Sequence, residues 1–303
     1  MCSSRFALVG SFSALFLLPR PDAHGGFVQS YQATGNVGLY SSAVSTNSPN
    51  SISGSFNLSQ LPSGATIQKA FLYTADWWQG SQPQVQLTIN TQPVAVTPAT
   101  ASDTPIGPLS FPTLTSYRWD LTTALSLLPP APFLFSITST QSNPQLTAAS
   151  LMIVWSDPSA PLSTVTIVDG AQQVGELTQT SPPTSDTESI NFTGLPAGST
   201  ALTLFTVSDD PFGTGETVRY NGGTNHGPLD GNLGNVASLL QFSDTSVAGS
   251  NGLVITSSQD YFGWVASASV VTPAAAVPEP GSLTLLAIGM LGSLVGLRRR
   301  RQQ

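Results

Sequence analysis

Apolar residues alternate with hydroxyl and amide residues through Phe27-Val-Gln-Ser-Tyr31, Val85-Gln-Leu-Thr-Ile89, Phe133-Leu-Phe-Ser-Ile137, Thr164-Val-Thr-Ile-Val168, Leu202-Thr-Leu-Phe-Thr206 and Leu253-Val-Ile-Thr256. A period of two places one face of an extended chain against a core and the other toward solvent, so these segments predict β-strands. Leu61-Pro-Ser-Gly64, Leu195-Pro-Ala-Gly198 and Asn221-Gly-Gly223 punctuate them with turn residues that supply a fixed negative φ or tolerate a positive one. Short strands separated by such turns predict an all-β protein of antiparallel β-sandwiches, of jelly-roll or Greek-key type. Only residues 121–128 and 236–242 carry a helical pattern, each opened by a capping residue, Asp120 or Asn235.

The pattern repeats. Ser55-Phe-Asn-Leu-Ser-Gln-Leu-Pro-Ser-Gly-Ala-Thr66 returns as Ser189-Ile-Asn-Phe-Thr-Gly-Leu-Pro-Ala-Gly-Ser-Thr200, with six identities in twelve positions. Further matches follow in the same order: Leu87-Thr-Ile-Asn90 with Val218-Arg-Tyr-Asn221, Asp120 to Leu125 with Asn235 to Leu240, Ile137 to Gln141 with Ile255 to Gln259, and Ala149 to Val154 with Ala266 to Val271. Self-similarity in a conserved order predicts two homologous modules, residues 24–160 and 161–273. The Ala149-Ser-Leu-Met-Ile-Val-Trp-Ser-Asp-Pro-Ser159 segment and Thr166-Ile-Val-Asp-Gly170 resemble extracellular β-sandwich modules of bacterial surface and adhesion-like proteins. Those are packing and turn residues, so the resemblance implies a fold and carries no catalytic residue.

The two ends break the alternation. Arg5 precedes an apolar run over residues 6–18, and Pro19 to Ala23 form a breaker-rich stretch, the layout of a signal peptide over residues 1–23. At the other end, Val277-Pro278-Glu279-Pro280-Gly281 is followed by sixteen uncharged residues, 282–297, and then by Arg298, Arg299, Arg300 and Arg301. Sixteen residues make a helix of roughly 24 Å, marginal for a hydrocarbon core of roughly 30 Å. The arginines place its C-terminal end in the cytoplasm, which leaves the Pro-Glu-Pro and everything before it outside. This order, over residues 274–303, resembles the PEP-CTERM sorting signal of Gram-negative bacteria that make exopolysaccharide. The resemblance implies recognition by a membrane-embedded exosortase, cleavage near the Pro-Glu-Pro, and a surface or extracellular destination after passage through the general secretion machinery.

Charge sharpens the picture. The chain carries a net charge of −7, but between His24 and Val277 only Lys69, Arg118 and Arg219 oppose fourteen carboxylates, about −11 for the mature body. An acidic surface of this kind argues against nucleic-acid partners. The one cysteine, Cys2, leaves with the signal peptide, so the mature chain is expected to have no disulfide and no thiol chemistry.

Candidate chemistry is sparse. His24 and His226 lack metal-ligand neighbours at useful spacing, and no nucleophile elbow, zinc or phosphate-binding motif occurs. Asp209, Asp210 and Glu216, with Asp76 at the matching place in the first module, are the carboxylates available to a glycoside hydrolase. Asp209, Asp210 and Asp230, helped by Asn232, could instead supply oxygen ligands to calcium, the single candidate cofactor. Trp77 and Trp78 follow Asp76, and adjacent residues on a strand face opposite ways, so one of the pair is a candidate for stacking on sugar. Trp119, Trp155 and Trp264 read as structural. The sum predicts an exported, non-enzymatic adhesion or scaffolding protein of an exopolysaccharide matrix, with a carbohydrate-active hydrolase as the alternative.

Overall fold

The computed structural model describes residues 26–46, 51–78, 81–103, 113–128, 131–140, 146–175, 186–207, 216–227, 229, 231–233, 237–257 and 261–274. The expected signal peptide 1–23, the Pro-Glu-Pro motif Val277, Pro278, Glu279 and Pro280, the segment 282–297 and the arginine cluster 298–301 lie outside the described residues.

The strands are β1 (Val28–Gly35), β2 (Val37–Ser45), β3 (Ser51–Asn57), β4 (Thr66–Trp78), β5 (Val85–Ile89), β6 (Gln92–Pro93), β7 (Ala99–Asp103), β8 (Thr113–Asp120), β9 (Pro132–Ser139), β10 (Ala148–Ser156), β11 (Ser163–Gly175), β12 (Asp186–Leu195), β13 (Gly198–Val207), β14 (Thr217–Tyr220), β15 (Ala237–Ser246), β16 (Gly249–Ser257) and β17 (Tyr261–Pro273). Among the described residues one α-helix, α1 (Thr122–Ser126), interrupts them. All strand pairs are antiparallel.

They form four sheets. Two inner five-stranded sheets run β2-β10-β4-β8-β7 and β1-β11-β17-β13-β15, and two outer sheets run β3-β9-β5-β6 and β12-β16-β14. Three apolar cores lie between successive layers. The first outer and inner sheets enclose Ile52, Phe56, Leu72, Trp119, Phe133 and Leu151, and the second pair encloses Phe192, Leu204, Tyr220, Leu253, Phe262 and Trp264. Between the two inner sheets lies a third core with Phe71, Tyr73, Trp77, Met152, Ile167 and Phe205. Both faces of each inner sheet are therefore covered. This is why β10 and β11 read as nearly unbroken buried runs instead of a clean alternation.

The chain passes between the inner sheets at two corners. β1 leads through Asn36 into β2, and β10 leads through residues 157–162 into β11, while the Asn36 carbonyl accepts from the Asp157 N–H at 3.0 Å. β1 consequently pairs with β11, on the far side of the expected boundary at residue 160.

One expected helix is a strand. Residues 236–242 read as helical, yet β15 makes a ten-residue ladder with β13, from Gly198 opposite Ser246 to Val207 opposite Ala237. Its adjacent leucines explain this: Leu239 packs toward the central core and Leu240 and Phe242 toward the second outer core. Only an extended chain sends neighbours to opposite faces. The other helical segment survives as the short α1, where Asp120 Oδ1 accepts from the Thr122 N–H at 3.1 Å. The expected match of residues 120–125 with 235–240 fails for the same reason.

Two asparagines close equivalent turns. Asn90 and Asn221 have φ of 48° and 51°. The Asn90 N–H donates to the Leu134 carbonyl at 2.9 Å while its Oδ1 accepts from the Leu134 N–H at 3.0 Å. Asn221 repeats both bonds with Gly252, at 2.8 and 2.9 Å. Asparagine tolerates the left-handed region and satisfies an outer-sheet backbone at once. Replacing either with Ala is expected to cost about 1–3 kcal/mol, combining left-handed strain with a lost hydrogen bond, whereas Gly relieves the strain alone. Urea midpoints of the two Ala and two Gly variants measure this, and an Ala no worse than Gly would refute the strain contribution.

Candidate functional site

The strand connections divide between two opposite ends of the sheets. At one end the chain turns at Asn36, at 90–91, at 196–197 and at 247–248, carries residues 58–65, α1 and residues 157–162, and leaves after Pro273. At the other end β2, β4, β7, β9, β11, β13 and β16 finish and β3, β5, β8, β10, β12, β14 and β17 begin. Connections carried on rigid strands are the usual place for recognition, and the candidate residues of the sequence gather at the second end, which is therefore the candidate functional face. Asp76, Trp77, Trp78, Asp103, Thr115, Ser139 and Glu216 lie at it.

Trp77 points into the central core with 3% of its surface exposed. Its ring therefore has no face to offer a sugar. Trp78 is half-buried and donates its indole N–H to Thr115 Oγ1 at 2.8 Å, and Ser102 meets the same oxygen at 2.7 Å. Of the pair, only Trp78 retains a surface. Trp119 and Trp264 are fully buried, and Trp155 lies half-buried over Gly38, where an added Cβ would fall 2.3 Å from the ring.

The Asp76 and Glu216 carboxylates face inward too. Asp76 is fully buried and accepts from Ser139 Oγ at 3.1 Å. Burial pushes the Tyr117 hydroxyl above its ordinary range, and the Asp76 charge adds to the rise. Tyr117 keeps its proton and donates it to the Pro83 carbonyl at 2.9 Å. Glu216 is 3% exposed. Neither Asp76 nor Glu216 presents a carboxyl to an incoming glycan. Asp103 joins the inner sheets, its Oδ2 accepting from the Gln173 N–H at 2.7 Å and its carbonyl from Gln173 Nε2 at 2.7 Å.

Asp209, Asp210 and Asp230 lie outside the described residues. Asn232 is described, and its amide lies along β15, accepting from the Leu239 N–H at 3.0 Å and donating to the Leu239 carbonyl at 3.1 Å. That side chain caps a sheet edge. Among the described residues no group of three His, Cys, Asp or Glu side chains comes together to hold a metal.

His226 sits near the opposite end. Its ring stacks on Phe242 at 4.0 Å, and Nε2 lies 2.8 Å from Asp244 Oδ2 and 3.4 Å from Thr224 Oγ1. A proton relay needs the hydroxyl and the carboxylate on different ring nitrogens. Here both meet Nε2, so the trio is a turn clasp.

The principal polar feature was not legible in the pattern of strands. Arg118 on β8 reaches across the central core to Asp169 on β11, with Nη1 2.9 Å from Oδ1 and 2.6 Å from Oδ2. Tyr73 donates its hydroxyl to Asp169 Oδ2 at 3.1 Å, and the guanidinium lies over the Phe71 ring at 4.7 Å. Burial opposes the Arg118 charge, but the Asp169 carboxylate and Tyr73 outweigh it and raise its pKa. Burial and the Asp169 charge hold the Tyr73 hydroxyl well above its usual range. One signal pointed here: Arg118 is one of three cations in the body, set between aromatics in Ser116-Tyr-Arg-Trp119.

No curated protein matches the chain. Residues 25–272 match the family described as a protein of unknown function, DUF3344, and residues 276–301 match the PEP-CTERM protein-sorting motif. The second match covers the Pro-Glu-Pro, the uncharged segment and the arginine cluster together, and the first spans all seventeen strands but the last residue of β17. The chain thus belongs to the DUF3344 family and carries at its C-terminus the PEP-CTERM signal by which exosortase sorts a protein to the cell surface.

Proposed function

We propose that the protein is a non-enzymatic adhesion or scaffolding component of an extracellular polysaccharide matrix, which presents the Trp78 end of the sheets outward. The observation that carries this is the polarity of the sheets: Trp78, with its remaining surface, lies at one end and the sorting signal follows the other. Inward-facing Asp76 and Glu216 favour a binding role over hydrolysis. In this reading the signal peptide 1–23 is removed on export, the segment 282–297 holds an inner-membrane intermediate, and exosortase cuts near Pro278-Glu-Pro280. Calcium bound through Asp209, Asp210 and Asp230 belongs to the same proposal.

The body is, in our reading, a duplicated jelly roll. Taken in chain order, β2, β3, β4, β5, β8, β9 and β10 correspond to β11 through β17. Support comes from the sheets: β2-β10-β4-β8 and β11-β17-β13-β15 then have the same order, as do β3-β9-β5 and β12-β16-β14. The hairpin of β5 and β6 has a remnant in the second half, where Arg219 bridges Asn225. The Val94 N–H donates to the Leu87 carbonyl at 2.9 Å, and the His226 N–H to Val218 at 2.8 Å.

A glycan array probed with mature protein, with and without calcium, tests the role. Retention of polysaccharide with no released product is expected, and new reducing ends appearing with time would replace the scaffold by the hydrolase. For sorting, the chain is expected to lose residues 278–303 in cells with exosortase and keep them in cells without it. An unchanged mass in both would make the tail a permanent anchor.

A further inference from the structure

The end of the sheets from which the chain departs after Pro273 carries a rim of exposed apolar side chains. Five large apolar side chains are exposed among the described residues: Val96, Leu127, Leu134, Leu162 and Val247. All but Val96 lie at or near this end. Leu162, 64% exposed, precedes Ser163, whose hydroxyl meets Thr272 Oγ1 at 3.2 Å. Val247, 56% exposed, follows Ser246, which is opposite Gly198, which is opposite Pro273. Leu127, 80% exposed, follows α1 at the close of β8, and Leu134 is bonded to the Asn90 turn. Single exposed apolar residues are ordinary. Their gathering at one end is the observation that asks for an occupant.

The length of chain beyond β17 identifies it. From Pro273 to Ser282, the first residue of the uncharged segment, nine backbone steps span about 30 Å at most, and the headgroup layer takes up about 6 Å of that. The thirteen-residue strands β11 and β17 extend about 40 Å. While the tail is inserted, this end is therefore the part of the body held nearest the lipid, and the Trp78 end is held away from it. Charge agrees with this placement. The body is strongly acidic, yet of its described carboxylates only Asp120, Asp157 and Asp244 lie at this end, against Lys69 and Arg219.

We infer that the rim formed by Leu127, Leu162 and Val247 is a membrane-docking surface, which rests in the outer headgroup layer of the bilayer that holds the tail and sets the body's orientation before exosortase cuts. Side chains of this size insert shallowly at an interface. The contact is weak on its own and depends on the tether, so it is lost when the tail is cut and the body is released. The inference rests on residues 282–297 spanning the membrane, and the experiment separates the two.

Removing the native thiol with Cys2→Ser permits single-cysteine probes in the full chain. Leu162→Cys, Val247→Cys, Ser81→Cys at the Trp78 end and Ala287→Cys in the tail are each labelled with an environment-sensitive fluorophore. The chains are reconstituted in phosphatidylcholine vesicles with and without spin-labelled lipid quenchers. Quenching at 162 and 247 is expected to exceed that at 81 by at least about twofold. Quenching at 287 without quenching at 162 or 247 overturns the docking surface and leaves the membrane-spanning tail intact. Absence of quenching at all four positions overturns both. Quenching at 162 and 247 that persists after the tail is cut off overturns the dependence on the tether.

Discussion

Arg118→Ala is expected to destabilise the protein by about 3–5 kcal/mol, because it leaves the Asp169 carboxylate buried without its cation. Asp169 has 7% of its side chain exposed against 24% for Arg118, so the orphaned carboxylate suffers more than an orphaned guanidinium, which can turn toward water. Asp169→Asn should accordingly cost less than Arg118→Ala. The Tyr73 hydroxyl still has an oxygen to donate to in the asparagine variant. For a body of this size each kcal/mol corresponds to about 2–4 °C, so Arg118→Ala lowers the melting temperature by roughly 6–20 °C. A paired Arg118→Met, Asp169→Leu replacement removes both charges at once and is expected to regain most of the loss. A double variant as unstable as the sum of its parts would show that the ion pair is not what holds the inner sheets in register. Lys69 and Asp120 form the control, since that exposed pair is worth about 0–1 kcal/mol.

Trp77→Ala is expected to cost a similar amount, about 3–5 kcal/mol, for a large aromatic removed from a close-packed core. The neighbouring Trp78→Ala should cost nearer 1 kcal/mol. It gives up one hydrogen bond to Thr115 and partial burial. The two substitutions also separate packing from recognition. Trp77→Ala should reduce glycan retention only in proportion to the fraction unfolded, while a folded Trp78→Ala chain that loses retention would assign sugar contact to that ring. Thermal melts and retention at a temperature well below the melting point measure both. If Trp77→Ala leaves the melt unchanged, its place in the central core is wrong.

Much of the outer architecture was legible because the outer sheets have one dry face and one wet face. The segments 133–137 and 253–256 alternate for that reason, and their matched partners Phe135 with Leu253 and Ile137 with Ile255 fall in corresponding cores. The inner strands were found by the same method but not oriented by it. Residues 164–168 and 202–206 alternate, yet with both faces covered the pattern does not say which core each face meets, and the match of Ala149 to Val154 with Ala266 to Val271 comes out one residue adrift: Ala149 and Leu151 face the first outer core, while Ala266 and Ala268 face the central one. A slip of one residue turns every side chain to the opposite face. A shared motif also concealed different physics. Gly64 is needed for a φ of +83°, whereas Gly198 is needed because an added Cβ would lie 2.1 Å from the Thr272 carbonyl oxygen.

The candidate site divides in the same way. Sequence alone determined the all-β character, the turn at Asn221 and the C-terminal signal, since each depends on residues close together in the chain: a period of two, a left-handed turn, a charge-free run closed by arginines. Only the tertiary structure decided that β15 is a strand, that Trp77, Asp76 and Glu216 face inward, and that Arg118 meets Asp169 fifty-one residues away. Those outcomes depend on which surface arrives opposite each residue, and a local pattern carries no record of its distant partner.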